Sequence, residues 1–211
     1  MTPAPDPGDP QGTPRASDED LARLAQNSTG EAARAAFGDL VRRHEASLFG
    51  FLFVRVGNAA TAEELVQEAF LRAWSKLQLF DPKQRFGTWL YTLAKNLAVS
   101  RARIRSHASV PDEVLVNMAG DSDPTLELSQ NEELEGLWAL AKELLNEESC
   151  SAMWLRYHDG LSYGEIATIL ERRSVSVRVM LFRAREVLIK ALEAGPQRRR
   201  PPAPQALGTG T

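Results

Sequence analysis

The chain has 211 residues, which is enough for one large or two small domains that each bury a core. Its composition is that of a soluble protein, and no apolar run approaches the roughly 20 residues that a membrane-spanning helix needs. A single cysteine, Cys150, excludes an internal disulfide framework, and the three histidines share no metal-ligand spacing with it. The sequence therefore predicts no metal, no cofactor and no membrane insertion.

The net charge of −3 by itself argues against a protein that binds nucleic acid, but the charges are unevenly distributed. Residues 83–107 contain six lysines and arginines and no acidic residue. Residues 108–148 contain eleven acidic residues and one basic residue, Lys142, and the chain turns basic again from Arg172 onward. Phosphate contacts need only local basic patches, so two segments of the chain are candidates for nucleic-acid binding.

The two ends of the chain, residues 1–17 and 195–211, are rich in proline and glycine and are predicted to be disordered tails. Between them the helical period is strong and the strand signal is weak. A first long helix is predicted from Phe37, with His44 as a packing histidine on its apolar stripe. The Gly57-Asn58 pair predicts the end of this helix.

A second helix is predicted to begin at Thr61, because Thr61 and Glu64 have the spacing of a capping box. Five residues at helical spacing are predicted to be buried: Val66, Phe70, Ala73, Trp74 and Leu77. The Asp81-Pro82 pair breaks the chain, and a third helix from about Phe86 runs into the basic segment. Its predicted inner face is formed by Phe86, Trp89, Leu90, Leu93 and Leu97. Together the three helices predict one all-α domain over residues 18–107.

Residues 108–130 show no sustained period and are predicted to be an acidic linker. Helical periodicity resumes at about Asn131 and predicts a second small helical domain over residues 131–194. Within it, residues 161–185 indicate two helices joined by a turn, as in a helix-turn-helix. The predicted fold is therefore all-α, with two small helical domains joined by an acidic linker and a helix-turn-helix in the second.

Three outward surfaces are candidates for binding. The first, called here the acidic patch, lies on the second predicted helix and consists of Glu64, Gln67, Glu68 and Leu71. Solubility alone would not place a leucine among acids, so the patch indicates a docking site for a basic partner. A solvated helix face is the alternative.

The second surface is the face of the third helix opposite Leu93, together with the loop before it. It combines hydroxyl, aromatic, amide and cationic groups: Arg85, Thr88, Tyr91, Thr92, Lys95, Asn96, Arg101, Arg103 and Arg105. Such groups can stack on a base, bond to its edge and hold its phosphates. An ordinary basic solvent face is the alternative, but that would not need Tyr91 on the outside.

The third surface is the outer face of the last helix, opposite an inner stripe formed by Val177, Leu181, Ala184, Leu188 and Ala191. The outer residues are Arg178, Val179, Phe182 and Arg183, with Arg173, Ser174 and Ser176 at the start of the helix. A recognition helix places such residues in the major groove, where arginine pairs with guanine and an apolar group meets a thymine methyl. Many helical hairpins mimic this pattern, so alone it is weak evidence.

Taken together, the segments "AEELVQEAFLRAWSKL", "FGTWLYTLAKNLAVSRARIR" and "LSYGEIATIL" resemble a bacterial sigma-70 family factor of the extracytoplasmic-function (ECF) group. The resemblance covers residues 18–194. It implies that the acidic patch docks on the clamp helices of core RNA polymerase. It also implies that the −10 promoter element is recognised and melted by Arg85, Thr88, Tyr91, Lys95, Asn96 and Arg101.

The same resemblance implies that the second domain reads the −35 element as duplex DNA, through Arg173, Ser174, Ser176, Arg178, Val179, Phe182 and Arg183. The acidic linker resembles the segment that threads the basic channels of the polymerase. The implied protein is not an enzyme, works in the bacterial cytoplasm, and has core RNA polymerase and promoter DNA as partners. An anti-sigma factor is a further partner that the sequence leaves open.

One segment departs from the family pattern. The family usually has a small residue, an apolar residue and a helix cap at the turn between the last two helices, whereas this chain has Glu171-Arg172-Arg173. A positive φ there costs about 1 kcal/mol without glycine, and Ser174 is predicted as a displaced N-cap.

Two other classes of protein stay open from the residues alone. One is a stand-alone helix-turn-helix regulator, which would not explain the acidic patch or the acidic linker. An interaction protein that binds RNA or an acidic partner makes Tyr91 and Asn96 incidental on the basic face.

Overall fold

The computed structural model describes residues 16–108 and 132–194. Over these ranges the chain forms α-helices and no strand, so the all-α prediction is confirmed. The helices are α1 (Asp18–Asn27), α2 (Gly30–Val56), α3 (Ala59–Lys76), α4 (Phe86–Ala108), α5 (Glu132–Leu144), α6 (Glu147–Tyr157), α7 (Tyr163–Leu170) and α8 (Ser174–Glu193). A short 3₁₀ turn, Leu77–Leu79, follows α3. The two predicted tails and the predicted acidic linker lie outside the described residues, apart from one or two residues at their edges.

Helix α1 was not predicted from the hydrophobic period. Its first turn contains three acidic residues, which favour the positive end of the helix dipole, and the Ser17 side chain accepts a hydrogen bond from the Asp20 amide. The helix packs on α2 and reaches α4, where the Glu19 carboxylate accepts a hydrogen bond from the Phe86 N–H at 3.0 Å. Helix α1 therefore caps the N-terminus of α4, which lies 67 residues away in sequence.

The junction between α2 and α3 confirms one prediction and corrects another. Helix α2 ends at Gly57, whose left-handed backbone (φ 72°) suits a residue without a Cβ. The predicted capping box of Thr61 and Glu64 is wrong, because Asn58 caps α3 by accepting a hydrogen bond from the Thr61 N–H at 2.8 Å. Thr61 is consequently buried inside the first turn of α3.

The first domain, α1–α4, has a core of large side chains from α2, α3 and α4, with Phe51, Leu65 and Leu90 fully buried. An aromatic cluster of Phe80, Phe86 and Trp89 closes the start of α4, with ring centroids 5.1–5.7 Å apart. Trp74 differs from its predicted burial: it is 41% exposed and packs edge-on against the Phe37 ring at the domain surface.

The second domain, α5–α8, contains the predicted helix-turn-helix as α7 and α8. Helix α7 begins with a capping box in which the Ser162 side chain and the Glu165 side chain each bond to the other residue's backbone N–H. It ends at Glu171, whose φ of 55° confirms that the turn needs a left-handed residue. The prediction of Ser174 as N-cap is wrong, because Ser174 is the first residue of α8 and Arg173 occupies the cap position without a side-chain bond.

The two domains pack directly against each other, through α2 with α6 and α4 with α7. The indole of Trp154 on α6 lies against Gly50 in the C-terminal third of α2. Buried apolar side chains of both domains form one continuous cluster. This contact between the domains was not predicted from the sequence. The contact changes the surroundings of several candidate site residues.

Candidate functional surfaces

The acidic patch lies on the exposed face of α3, as predicted. Leu71 is 70% exposed, Glu64 and Gln67 are exposed, and Glu68 is partly exposed. Both acids of the patch have basic partners nearby: Glu68 pairs with Arg72 at 3.1 Å, and Glu64 pairs with Arg101 of α4. A large exposed apolar side chain bordered by charged groups is typical of the centre of a protein-binding surface.

The face of α4 opposite the core is only partly accessible. Asn96 is exposed and Arg101 is partly exposed, in agreement with the sequence analysis. Thr88 is partly buried, and its hydroxyl oxygen has no hydrogen-bond partner among the described residues. Of the residues predicted to contact the −10 element, Asn96 and Arg101 on α4 therefore stay within reach of a nucleic acid in this arrangement, and Arg103 of the same surface is exposed.

The prediction that Tyr91 lies on the outside is wrong. The ring is 3% exposed and packs edge-on against Phe51 of α2, at 5.1 Å between centroids. Its hydroxyl lies 2.8 Å from the Ser47 hydroxyl, which also donates a hydrogen bond to Asp159 of the second domain. Burial raises the pKa of the Tyr91 phenol well above its ordinary value. The α-helical period pointed Tyr91 away from Leu93, but α2 and the end of α6 cover that side.

Lys95 is also covered, although it was predicted to be on the outer face. It is 7% exposed, and its Nζ lies 2.6 Å from Oε1 of Glu171 in the second domain. The bond to Lys95 holds the pKa of the Glu171 carboxyl below its ordinary value. Arg85, in the loop before α4, is exposed but bonded to Glu165 of α7 at 3.1 Å. Two predicted phosphate-binding cations thus have carboxylate partners in the second domain.

The outer face of α8 is accessible over its whole predicted length. All seven candidates are exposed: Arg173, Ser174, Ser176, Arg178, Val179, Phe182 and Arg183. The inner residues Val177, Leu181, Ala184 and Leu188 are buried, which confirms the predicted stripe at these positions. Helix α8 therefore has the form of a recognition helix, with a buried apolar stripe on one side and an exposed outer face that mixes arginine, serine and apolar side chains on the other.

Tyr163, the first residue of α7, was not singled out by the sequence analysis. Its ring has the guanidinium of Arg178 at 5.2 Å from the centroid and that of Arg156 at 4.8 Å. Such a stack restricts a long, flexible side chain at the protein surface. Tyr163 lies fifteen residues before Arg178 on a different helix, so helical periodicity alone could not identify it.

The turn between α7 and α8 is held from α6. Arg172 donates two hydrogen bonds to the Glu148 carboxylate, at 2.6 and 3.1 Å. These bonds, together with the charge of Arg172, hold the pKa of the Glu148 carboxyl below its ordinary value. Arg172 therefore replaces the expected packing residue of the turn with a paired charge.

Within residues 16–108 and 132–194, no group of three or more histidine, cysteine, aspartate or glutamate side chains could hold a metal ion. In the same part of the chain, no helix is both long and apolar enough to cross a membrane.

Comparison with known families identifies both domains. The family model for sigma-70 region 2 matches residues 40–108, and the family model for sigma-70 region 4 matches residues 139–188. The chain is 32% identical to the RNA polymerase sigma-H factor of Pseudomonas aeruginosa over 169 residues, which cover 76% of this chain and 88% of that protein. It is 34% identical to the ECF RNA polymerase sigma-E factor of Escherichia coli over 163 residues, 72% of this chain and 84% of that protein.

A solved structure with the same fold is that of CnrH in complex with the cytosolic domain of CnrY. It superposes with a TM-score of 0.60 at 26% identity and covers 84% of this chain and 97% of CnrH. The helical fold, the two family regions and the similarity to sigma factors over about three quarters of the chain agree with one another. This chain therefore belongs to the ECF group of the sigma-70 family and is a promoter-specificity factor that binds RNA polymerase.

Proposed function

We propose that the three surfaces divide the work of initiation among them. The acidic patch of α3 docks on core RNA polymerase. The face of α4 and the loop before it recognise and melt the −10 element, and the outer face of α8 reads the −35 element. Residues 18–107 and 131–194 form the two functional domains, and residues 108–130 link them. The chain acts in the bacterial cytoplasm, where its polymerase works, and contributes no catalytic group of its own.

The observation that carries the assignment of α8 is its exposed face. Seven exposed residues at the start and on the outer side of α8 can contact phosphates, base edges or a thymine methyl. The opposite side of the helix packs into the core. Arg178 and Arg183 lie toward the two edges of this face, about 140° apart around the helix, and Arg173 precedes the first turn as the N-cap residue. Duplex DNA in the major groove is the ligand that fits a helix of this kind.

The assignment of α4 is supported by Asn96, Arg101 and the absence of acids over residues 83–107. Lys95 and Arg85 join this surface only when the second domain moves away from α4, since both are bonded to it here. Tyr91 would need the same movement and a change of its own packing. We therefore place Asn96 and Arg101 first among the −10 candidates.

Run-off transcription with purified core polymerase on genomic fragments tests the proposed function as a whole. On a promoter found in this way, Asn96→Ala with Lys95→Ala is expected to reduce permanganate reactivity of thymines near −10. Asn27→Ala, a change of the same residue type at an exposed position at the end of α1, serves as the control. Undiminished reactivity in the double variant would assign melting to another surface.

The CnrH structure contains the cytosolic domain of a second protein, CnrY. On that likeness, an anti-sigma factor that binds this chain is part of the proposal. Co-purification of the tagged chain with a protein that lowers its run-off activity would support it, and retention of full activity in every such complex would contradict it.

A further inference from the structure

The face of α4 that we assign to the −10 element is partly covered by the second domain of the same chain, at Lys95 and in the preceding loop at Arg85. We propose that the two domains form an autoinhibitory interface in the free protein, in which carboxylates of the second domain occupy the place of DNA phosphates. Binding to the −10 element then requires the domains to separate. This inference rests on the proposed role of α4, and it adds a partner for that surface: the chain's own α6–α8 segment.

The interface has a steric fit at its centre. Gly50 is buried in the interior of α2, where glycine is unfavourable because it gives up more backbone freedom than other residues. A Cβ added to Gly50 would overlap the six-membered ring of Trp154, so only glycine leaves room for this indole. Trp154 is 4% exposed and stacks on His158 at 4.1 Å between ring centroids. The contact with Trp154 therefore accounts for Gly50, because α2 by itself would be more stable with a larger residue at this position.

In each ion pair between the domains around this centre, the cation belongs to the first domain and the acid to the second. Three cations of the first domain pair with three acids of the second: Lys95 with Glu171 at 2.6 Å, Arg55 with Glu147 at 2.6 Å, and Arg85 with Glu165 at 3.1 Å. A carboxylate offers the negative charge and the acceptor oxygens that a phosphate offers. Lys95 cannot hold both, and its side chain is only 9% exposed while Glu171 occupies it.

Two further contacts cross between the domains. Ser47 of α2 links the Tyr91 hydroxyl, at 2.8 Å, to Asp159 at the end of α6. The Nζ of Lys142 on α5 lies 3.3 Å from the ring centroid of Phe53 on α2. Both contacts join positions at least 89 residues apart, so the interface is a tertiary feature and not a local one.

The ion pairs are also of a kind that can open. Glu171, Glu147 and Arg85 have side chains that are 66%, 52% and 70% exposed. Their partners Lys95, Arg55 and Glu165 are only 9%, 12% and 20% exposed. Because one end of each pair is in contact with solvent, salt screens the pair, so these ion pairs favour the closed arrangement without locking it. Polymerase and promoter DNA can therefore compete with the second domain for the first.

Gly50→Ala in the full chain tests the interface. The substitution favours the helix itself but places a methyl group inside the Trp154 ring, so the domains are expected to separate. The matched control is Gly38→Ala on the same helix, where the new Cβ would meet only the end of the flexible Arg42 side chain at 3.6 Å. Small-angle X-ray scattering is expected to show a larger radius of gyration for Gly50→Ala and no change for Gly38→Ala.

The same variants are then titrated against a fluorescein-labelled pool of random single-stranded DNA. If the closed form hides the DNA surface, the Gly50→Ala chain should bind about tenfold more tightly, because the binding-competent fraction rises. Adding Lys95→Ala should remove much of that gain. If circular dichroism shows that Gly50→Ala has lost helix, the pair Glu147→Lys and Glu171→Lys opens the interface instead, by repulsion at two exposed positions.

The two readouts separate the inference from the function on which it rests. An unchanged radius of gyration would overturn the interface. A larger radius with wild-type DNA affinity would overturn the masking of DNA binding. A tenfold gain that Lys95→Ala leaves intact would support the masking and overturn the assignment of Lys95 to the DNA surface.

Discussion

Lys95 and Glu171 form an ion pair of 2.6 Å between α4 and the turn that joins α7 to α8. Among the described residues, Glu171 is also the one non-glycine residue with a positive φ. A side chain in the left-handed region is unfavourable at a position where glycine is the common solution. The turn therefore retains a strained glutamate whose carboxylate reaches the other domain. The departure from the family pattern at this turn thus coincides with the ion pair to Lys95.

The first prediction exchanges the two charges. Lys95→Glu alone places two carboxylates together and should expand the chain, as measured by the radius of gyration. Lys95→Glu combined with Glu171→Lys restores an attractive pair and should return the radius toward the wild-type value. A double variant that stays as expanded as Lys95→Glu would show that this pair does not contribute to closure.

The second prediction concerns Leu71 in the acidic patch. Because Leu71 is 70% exposed, Leu71→Ser should change the free energy of unfolding by no more than about 0.5 kcal/mol. If the side chain is buried against core polymerase, its loss should weaken binding about tenfold, which corresponds to about 1.4 kcal/mol. Leu24→Ser, at a half-exposed leucine on α1, is the control. Equal affinities of the two variants for core would contradict the assignment of α3.

The third prediction concerns pH and the attachment of α1. Asp18 accepts hydrogen bonds from His44 at 2.7 Å and from Arg43 at 2.8 Å. The bond to His44 is the main reason why the pKa of Asp18 falls from its usual 3.8 to about 2. A lowered carboxyl pKa stabilises the fold above the unfolded value, and that stabilisation is lost as the pH falls through the folded value.

Asp18→Asn should therefore lower the free energy of unfolding at pH 7 by about 1 kcal/mol, a value reduced for the partial solvent exposure of the group. The difference from the wild type should shrink toward zero between about pH 4 and pH 2, as measured by urea unfolding. Asp39→Asn, at an ion pair along the exposed side of α2, is the comparison. A wild-type advantage that persists unchanged at the lowest pH would contradict the role of the Asp18 carboxylate.

The sequence predicted those parts of the fold that depend on local spacing. The buried stripe of α8 and the exposure of Leu71 followed from the 3.6-residue period, because each compares residues a few turns apart. Helix α1 was missed because its ten residues make fewer than three turns, so few apolar positions repeat. Ser17 with Asp20 nevertheless gave a usable signal for the N-cap. The Thr61 cap was misplaced because Asn58 precedes it by three residues and is an equally good cap.

The candidate site on α4 could not be predicted in the same way. Tyr91 and Lys95 do point away from Leu93, but Tyr91 is covered by α2 together with Asp159 of the second domain, and Lys95 is covered by Glu171 of the second domain. Burial by a second domain leaves no mark on the period of the helix that it covers. Gly50 was the available clue, since a glycine in the interior of a long helix often marks close packing.

The last prediction concerns how α8 reads DNA. Arg178 lies in the second turn of α8, and its guanidinium is stacked on the Tyr163 ring, whereas Arg183 is exposed one and a half turns further on. A restricted arginine near the helix start is suited to a guanine edge, and a later one to a phosphate. Arg178→Ala should therefore relax preference at one base pair of the −35 element by about 1–3 kcal/mol. Arg183→Ala should weaken all sequences alike and reduce the salt slope by about one.

Binding of each variant to a library of −35 sequences measures both effects. Tyr163→Leu keeps an apolar group at the start of α7 but removes the stack, so it should relax preference at the same base pair as Arg178→Ala, and by a smaller amount. This shared position is the decisive result, because a general loss of folding or of charge would lower affinity evenly across the library. An even loss for Arg178→Ala would discard base reading by Arg178, and a Tyr163→Leu profile identical to the wild type would discard the stack as its support.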